Sequence, residues 1–181
     1  MAAVHALLPH PARPTRAVTQ VSVVLSDAPG DTLLLRFRAS GPLAVECLAS
    51  AAIGGRVDGL WAHTCCELFV QPARGTAYRE FNFSPRGAWA AYDFDDYRAG
   101  MRPAVLQREP RLELATESGE WTLSVQLARA DLGLPGTAAR WRLGLCAVTE
   151  SPDGALAYWA LRHPVEKPDF HHRDAFVCEW G

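Results

Sequence analysis

The sequence predicts an all-β fold, an antiparallel β-sandwich of about ten strands, on three observations. Apolar residues recur with period two along most of the chain. Clusters of Gly, Pro, Asp and Ser separate the alternating runs at short intervals, and helix signals are scarce. A jelly-roll or immunoglobulin-like sandwich meets all three, because each half-buried strand puts one side-chain set into a shared core. A parallel α/β sheet is disfavoured, since no strand alternates with a helical pattern.

Residues 1–17 read as an irregular, Pro-rich arm, and 18–181 as one domain. In the first hairpin, Val21, Val23 and Leu25 alternate with Ser22 and Ser26, then Leu33, Leu35, Phe37 and Ala39 with Arg36, Arg38 and Ser40, across the turn Asp27-Ala28-Pro29-Gly30-Asp31. Residues 49–53 and 128–132 could each make one helical turn, and both stop at glycine. Strands over 66–71, 78–83 and 88–94 form a three-stranded meander. Its second turn is Ser84-Pro85-Arg86-Gly87, where Pro presets the second position and Gly takes the left-handed conformation that ends the turn. Residues 111–115 pair with 121–127 across Glu117-Ser118-Gly119-Glu120. Strands over 141–149 and 156–162, joined by Ser151-Pro152-Asp153-Gly154, and over 175–180 complete the set.

With 181 residues, 49% of them hydrophobic, the chain is long enough to bury a full core. Eighteen Lys and Arg against twenty Asp and Glu leave a net charge of -2 with the signs mixed, so no basic footprint for nucleic acid or a membrane surface exists. The start, interrupted by His5, Pro9, His10 and Pro11, lacks the unbroken apolar run of a secretory leader. Nothing approaches the roughly 20 apolar residues of a membrane span. The expectation is a soluble, cytoplasmic protein. Five cysteines without CxxC spacing, each assigned to a strand, argue for packing thiols rather than a disulfide framework or zinc ribbon. Neighbouring Cys65 and Cys66 point to opposite sheet faces. Dinucleotide, P-loop, HExxH and GxSxG motifs are missing, which makes an enzyme less expected without excluding scattered catalytic residues.

Function is concentrated in residues 60–101, where aromatic rings alternate with Glu, Asn and Asp. On the middle strand of the meander, Phe81 and Phe83 share a face with Arg79, while Tyr78, Glu80 and Asn82 share the other. The turn places Phe83 near Trp89 across the ladder. Phe81, Phe83 and Trp89 therefore belong to the core, and Glu80, Asn82 and Tyr92 to a groove; a register slip of one residue would exchange the two sets. A carboxylate and an amide beside aromatic rings suit a sugar: ring faces stack on its C–H side and the polar groups satisfy its hydroxyls. The same alternation is also what a solvated antiparallel sheet shows.

The strings LWAHTCCELFVQP and YREFNFSPRGAWAAYDFDDYRAGM resemble DOMON-like domains, in the branch similar to family 9 carbohydrate-binding modules. The match rests on Trp61, on Glu67-Leu68-Phe69, and on Tyr78-x-Glu80-Phe81-Asn82-Phe83-Ser84-Pro85-x-Gly87. The resemblance implies a bacterial-type, non-catalytic β-sandwich that binds sugar or haem in a pocket beside one sheet. Trp61, Glu67, Asn82 and Trp89 are the ligand-binding positions it carries over, although Trp89 conflicts with its core assignment. Glu80, Tyr92 and His171 join them from the patterning. The ligand expected is a small molecule or oligosaccharide, with no cofactor required and protein partners undetermined. Departures from the pattern are the missing leader and the missing catalytic neighbour domain.

An alternative reading involves a haem or divalent metal. His163, Asp169, His171, His172 and Asp174 lie in one long loop and carry metal-ligand chemistry. Adjacent histidines on extended chain diverge, however, and the two prolines suit an ordered loop whose histidines cap backbone groups. Haem-binding relatives use Met and His, for which Met101 and His171 are the candidates.

Overall fold

The computed structural model describes residues 3–45, 47–48, 54–133 and 140–180, so the helical turn expected over 49–53 lies outside the described residues. The architecture is all-β; among the described residues thirteen strands, rather than about ten, run as one continuous curled sheet. Strands β2 (Gln20–Ala28), β3 (Thr32–Ser40), β9 (Arg111–Glu117) and β10 (Glu120–Ala128) make one half. Strands β5 (Cys65–Pro72), β6 (Tyr78–Phe83), β7 (Ala88–Phe94), β11 (Trp141–Glu150), β12 (Leu156–Ala160) and β13 (Cys178–Trp180) make most of the other.

Strand β1 (Ala3–Pro9) joins the halves. Its residues 3–7 pair with β2, and Leu8 and Pro9 continue onto Ala160 and Trp159 of β12. Residues 3–9 of the expected irregular arm thus form the strand that closes the fold, while 10–17 remain without regular structure. Sequence patterning misses it because only Leu7 of β1 is buried, which leaves no alternation to read. The two-residue strands β4 (Gly55–Arg56) and β8 (Arg102–Pro103) are too short for any period. β4 also pairs with β7 in parallel, an exception to the antiparallel expectation.

Elsewhere the expected pairings form. Ala28 meets Thr32 in the first hairpin, Glu117 meets Glu120 in the second, and β5, β6 and β7 make the meander. In the Ser84–Gly87 turn, the Gly87 amide donates to the Ser84 carbonyl at 2.9 Å, with Gly87 at φ 89°. The turn predicted near 128–132 is a short 3-10 segment, Arg129–Asp131.

The two halves enclose the main core. Val23, Leu25, Leu35, Phe37 and Trp121 pack from one side against Leu68, Phe81, Phe83, Leu145 and Trp159 from the other. The outer face of the β2–β3 half is partly wet, as its Ser and Arg residues require. By contrast every residue of β5, β6 and β7 is buried, so this part of the sheet is covered on both faces. All five cysteines are buried thiols. Cys66 belongs to the main core and Cys65 to a second cluster on the opposite face, while Cys47 sits in a turn rather than a strand. No helix among the described residues is long and apolar enough to cross a membrane.

Candidate functional site

The second cluster covers the polar face of the meander and makes a site there. Phe170, Ala175 and Phe176, from the loop after β12, lie on Phe69, Tyr78, Phe94 and Cys146. Phe176 stacks on Phe69 with centroids 5.5 Å apart and rings 20° from parallel. The approach requires Gly144: a Cβ there would stand 2.6 Å from the Phe176 ring. A 3-10 turn, Leu60–Ala62, reaches the same face and carries Trp61, whose ring meets Tyr92 edge-on at 5.9 Å.

Between these covers and the sheet lies a cavity of about 320 Å³. Its polar lining is Glu67 on β5, Glu80 on β6, Arg98 from the β7–β8 connection and His171 from the covering loop. Phe94, Val148, Tyr158 and Phe170 supply apolar wall, and the half-exposed Trp61 and Met101 flank it. Strand register brings the acids together: Glu67 is opposite Asn82 and Phe69 is opposite Glu80, so Glu67 and Glu80 are diagonal neighbours on one face.

Burial sets the chemistry. Desolvation, reinforced by the Glu80 charge and opposed by Arg98, pushes the Glu67 carboxyl well above the usual range. Glu80 is raised to about 7 by burial, against the lowering effects of the Asn82 hydrogen bond and Arg98. Two like charges in one dry site do not both ionise readily, so the pair retains a proton near neutrality. Asn82 Nδ2 donates to Glu80 Oε1 at 2.6 Å, while Glu67 Oε1 is buried with no hydrogen-bond partner.

The covering loop is tied in by a relay. The Arg98 amide donates to the Tyr78 hydroxyl at 3.2 Å, and that hydroxyl lies 2.7 Å from His171 Nδ1. The other ring nitrogen, Nε2, lies 3.7 Å from Glu80 Oε2. Burial, with help from Arg98, lowers His171 to about 4, so the ring is neutral. Burial likewise raises Tyr78 to about 12. Arg98 has a positive φ of 51° and donates to Asp169 Oδ1 at 2.9 Å, while Tyr97 donates to Asp169 Oδ2 at 2.7 Å.

The structure therefore gathers Trp61, Glu67, Glu80, Met101 and His171 of the expected residues around one cavity. Three expectations change. Trp89 lies on the opposite face, in the main core against Phe83, with the Arg56 guanidinium 5.5 Å from its ring; alternation along β7 puts it there. Asn82 is fully buried and holds Glu80 rather than lining the cavity. Tyr92 donates to Asp58 Oδ1 at 2.5 Å and supports Trp61 from beneath. Sequence reasoning passed over Arg98 and Tyr158 as site residues, although Arg98 lies in the segment that Met101 closes and Tyr158 at a period-two position of its strand.

The loop's metal-ligand chemistry does not converge. Among the described residues, no group of three or more His, Cys, Asp or Glu side chains is placed to hold a metal. His163 Nε2 bonds the Leu8 carbonyl at 2.8 Å, and His172 Nδ1 accepts from the Asp174 amide, the capping role of an ordered loop. Asp169 is held by Tyr97 and Arg98. For haem, Met101 and His171 do share the cavity, but His171 Nδ1 is taken by Tyr78 and Nε2 faces Glu80.

No protein-family model matches the chain, and no curated protein matches it. Solved structures do share its fold. A Bacteroides uniformis ATCC 8492 protein, described as a "putative carbohydrate-binding protein", superposes with a TM-score of 0.70 at 15% identity, over 97% of this chain and 84% of that one. A family 9 carbohydrate-binding module from Caldicellulosiruptor kristjanssonii in complex with cellotriose gives 0.57 at 8% identity, over 88% of this chain and 73% of that one. A family 9 module from the same organism in complex with glucose gives 0.50 at 11% identity, over 89% and 76%. At such identities the likeness is one of fold.

Proposed function

We propose that this domain is a non-catalytic binder of a carbohydrate or a sugar-containing metabolite, of the DOMON-like type related to family 9 modules. The observation that carries this reading is the convergence of Glu67, Glu80, Arg98 and His171 with aromatic wall in one cavity. Donors and acceptors beside ring faces are what a pyranose needs, and the fold is shared with carbohydrate-binding modules. Trp61, 43% exposed, offers its ring for stacking, while the carboxyls and Arg98 take hydroxyls. Calorimetry against a panel of mono- and oligosaccharides tests it. At least one sugar should bind more tightly than millimolar, and Trp61→Ala should weaken that sugar about 10-fold with the fold intact. A panel with no sugar tighter than millimolar would defeat the reading.

Acid–base catalysis is a second reading, favoured by the convergence of two carboxyls whose environments differ. It requires turnover of an aryl glycoside that Glu80→Gln abolishes.

A further inference from the structure

The cavity holds more acid than its own base balances. Glu67 and Glu80 line it and are only 3% and 4% exposed. Arg98 is the sole Lys or Arg among the described residues that line it, and its guanidinium is committed to Asp169. Burial works against the Asp169 charge, yet hydrogen bonds from Tyr97 and Arg98 hold its carboxyl below the ordinary range. The single charge of Arg98 is thus shared among Asp169, Glu67 and Glu80, and the cavity keeps more carboxyl than cation.

Their hydrogen bonding is incomplete as well. Glu80 Oε1 is satisfied by Asn82, but its Oε2 has His171 Nε2 no nearer than 3.7 Å, beyond a hydrogen bond. Glu67 Oε1 has no partner. A buried acceptor without a donor is a standing penalty, and a ligand that supplies the donor removes it. The surrounding walls narrow the choice of donor. Phe94, Tyr158, Phe170 and Trp61 present aromatic rings, whose faces are the negative end of the ring quadrupole. Ring faces and carboxylates attract the same species, a cation. A hydroxyl would satisfy one acceptor and leave the charge unbalanced, whereas an ammonium brings three donors and the missing charge together.

We infer that the sugar bound here carries an amino group, and that its ammonium is seated between Glu67 and Glu80. This amino-sugar assignment rests on the carbohydrate reading for the remainder of the ligand; the cation site itself rests only on the carboxyls and the rings.

A proton signature follows. The groups facing the pair are Arg98, itself bound to Asp169, and His171 from the covering segments, and Tyr78, Cys65 and Cys146 from the sheet, with Tyr92 held by Asp58. Burial keeps both thiols and Tyr78 protonated and His171 neutral at ordinary pH, and Glu80, raised to about 7, is the one of these groups that titrates near neutrality. An arriving ammonium expels the proton that the pair retains.

The test is calorimetry on the full chain with matched sugars (glucose and glucosamine, galactose and galactosamine, mannose and mannosamine) and with cyclohexylamine, at about pH 7 in two buffers of different ionisation heat. At least one amino sugar should bind about 10-fold or more tightly than its hydroxyl partner, with proton release. The preference should vanish at about pH 5, and Glu67→Gln should bring the amino sugar down to the affinity of its hydroxyl partner. If a neutral sugar binds and its amino partner binds no better, the inference fails and the carbohydrate reading stands. Should cyclohexylamine alone bind with proton release, the cation site stands and the carbohydrate reading falls. Binding by none of the probes overturns both.

Discussion

The two faces of the β5–β6–β7 meander are made by the same strands, and each buries charge, but in opposite ways. On the core face, Arg79 is opposite Asp93 in the ladder. Its Nε and Nη2 donate to the two Asp93 oxygens at 2.7 and 3.1 Å, and Nη1 to the Asp131 carbonyl at 2.7 Å. The cavity face puts two acids on neighbouring strands and leaves a Glu67 oxygen unpartnered. A fully paired buried charge belongs to the fold, whereas an unpaired one beside open volume marks a site.

The largest test of that contrast breaks the paired face. Arg79→Ala leaves Asp93 buried and alone and should destabilise the domain by about 3–5 kcal/mol in chemical denaturation. Glu67→Gln, equally buried, should cost far less, and equal losses would erase the distinction between the faces.

Next comes the pH dependence of the unpaired face. Glu80 stands at about 7 in the fold against an ordinary value of 4.5. Its protonated form therefore contributes fully below pH 4.5, and that contribution is lost as the pH rises through 7. Gln cannot ionise, so Glu80→Gln should match the parent near pH 4.5 and exceed it by up to about 3 kcal/mol near pH 8. His171 runs the other way: lowered to about 4 from 6.5, it contributes above pH 6.5 and is lost as the pH falls through 4. Melting curves of Glu80→Gln and its parent across this range check the sign.

The smallest effect sharpens the comparison at the lid. Gly144→Ala sets a Cβ against Phe176 and should cost about 1–3 kcal/mol. Faster amide exchange should be confined to the covering loop and leave the β2–β3 half unchanged, since the collision involves only the cavity side of the sheet.

How much of this was legible in sequence depends on how local the cause was. Phe81, Phe83 and Arg79 against Tyr78, Glu80 and Asn82 could be sorted from alternation alone, because period two forces it. The Ser84–Gly87 turn likewise followed from Pro and Gly chemistry. Trp61, Glu67 and His171 could be singled out as candidates, yet nothing in their spacing showed that they share a cavity. The strand Ala3–Pro9 could not be read, because it is held by backbone pairing to two partners rather than by an apolar face.

By itself, then, the chain determined its longer alternating strands, their turns and which side chains share a face, since these depend on neighbours one or two residues apart. Tertiary structure alone decided that the polar face would be dry. That required a loop some ninety residues beyond β6 to fold back on Phe69 and Gly144, and Tyr78 is joined to His171 across a sequence separation of 93. Desolvation is a property of what covers a group, and no local pattern around Glu67 or Glu80 records what will cover it.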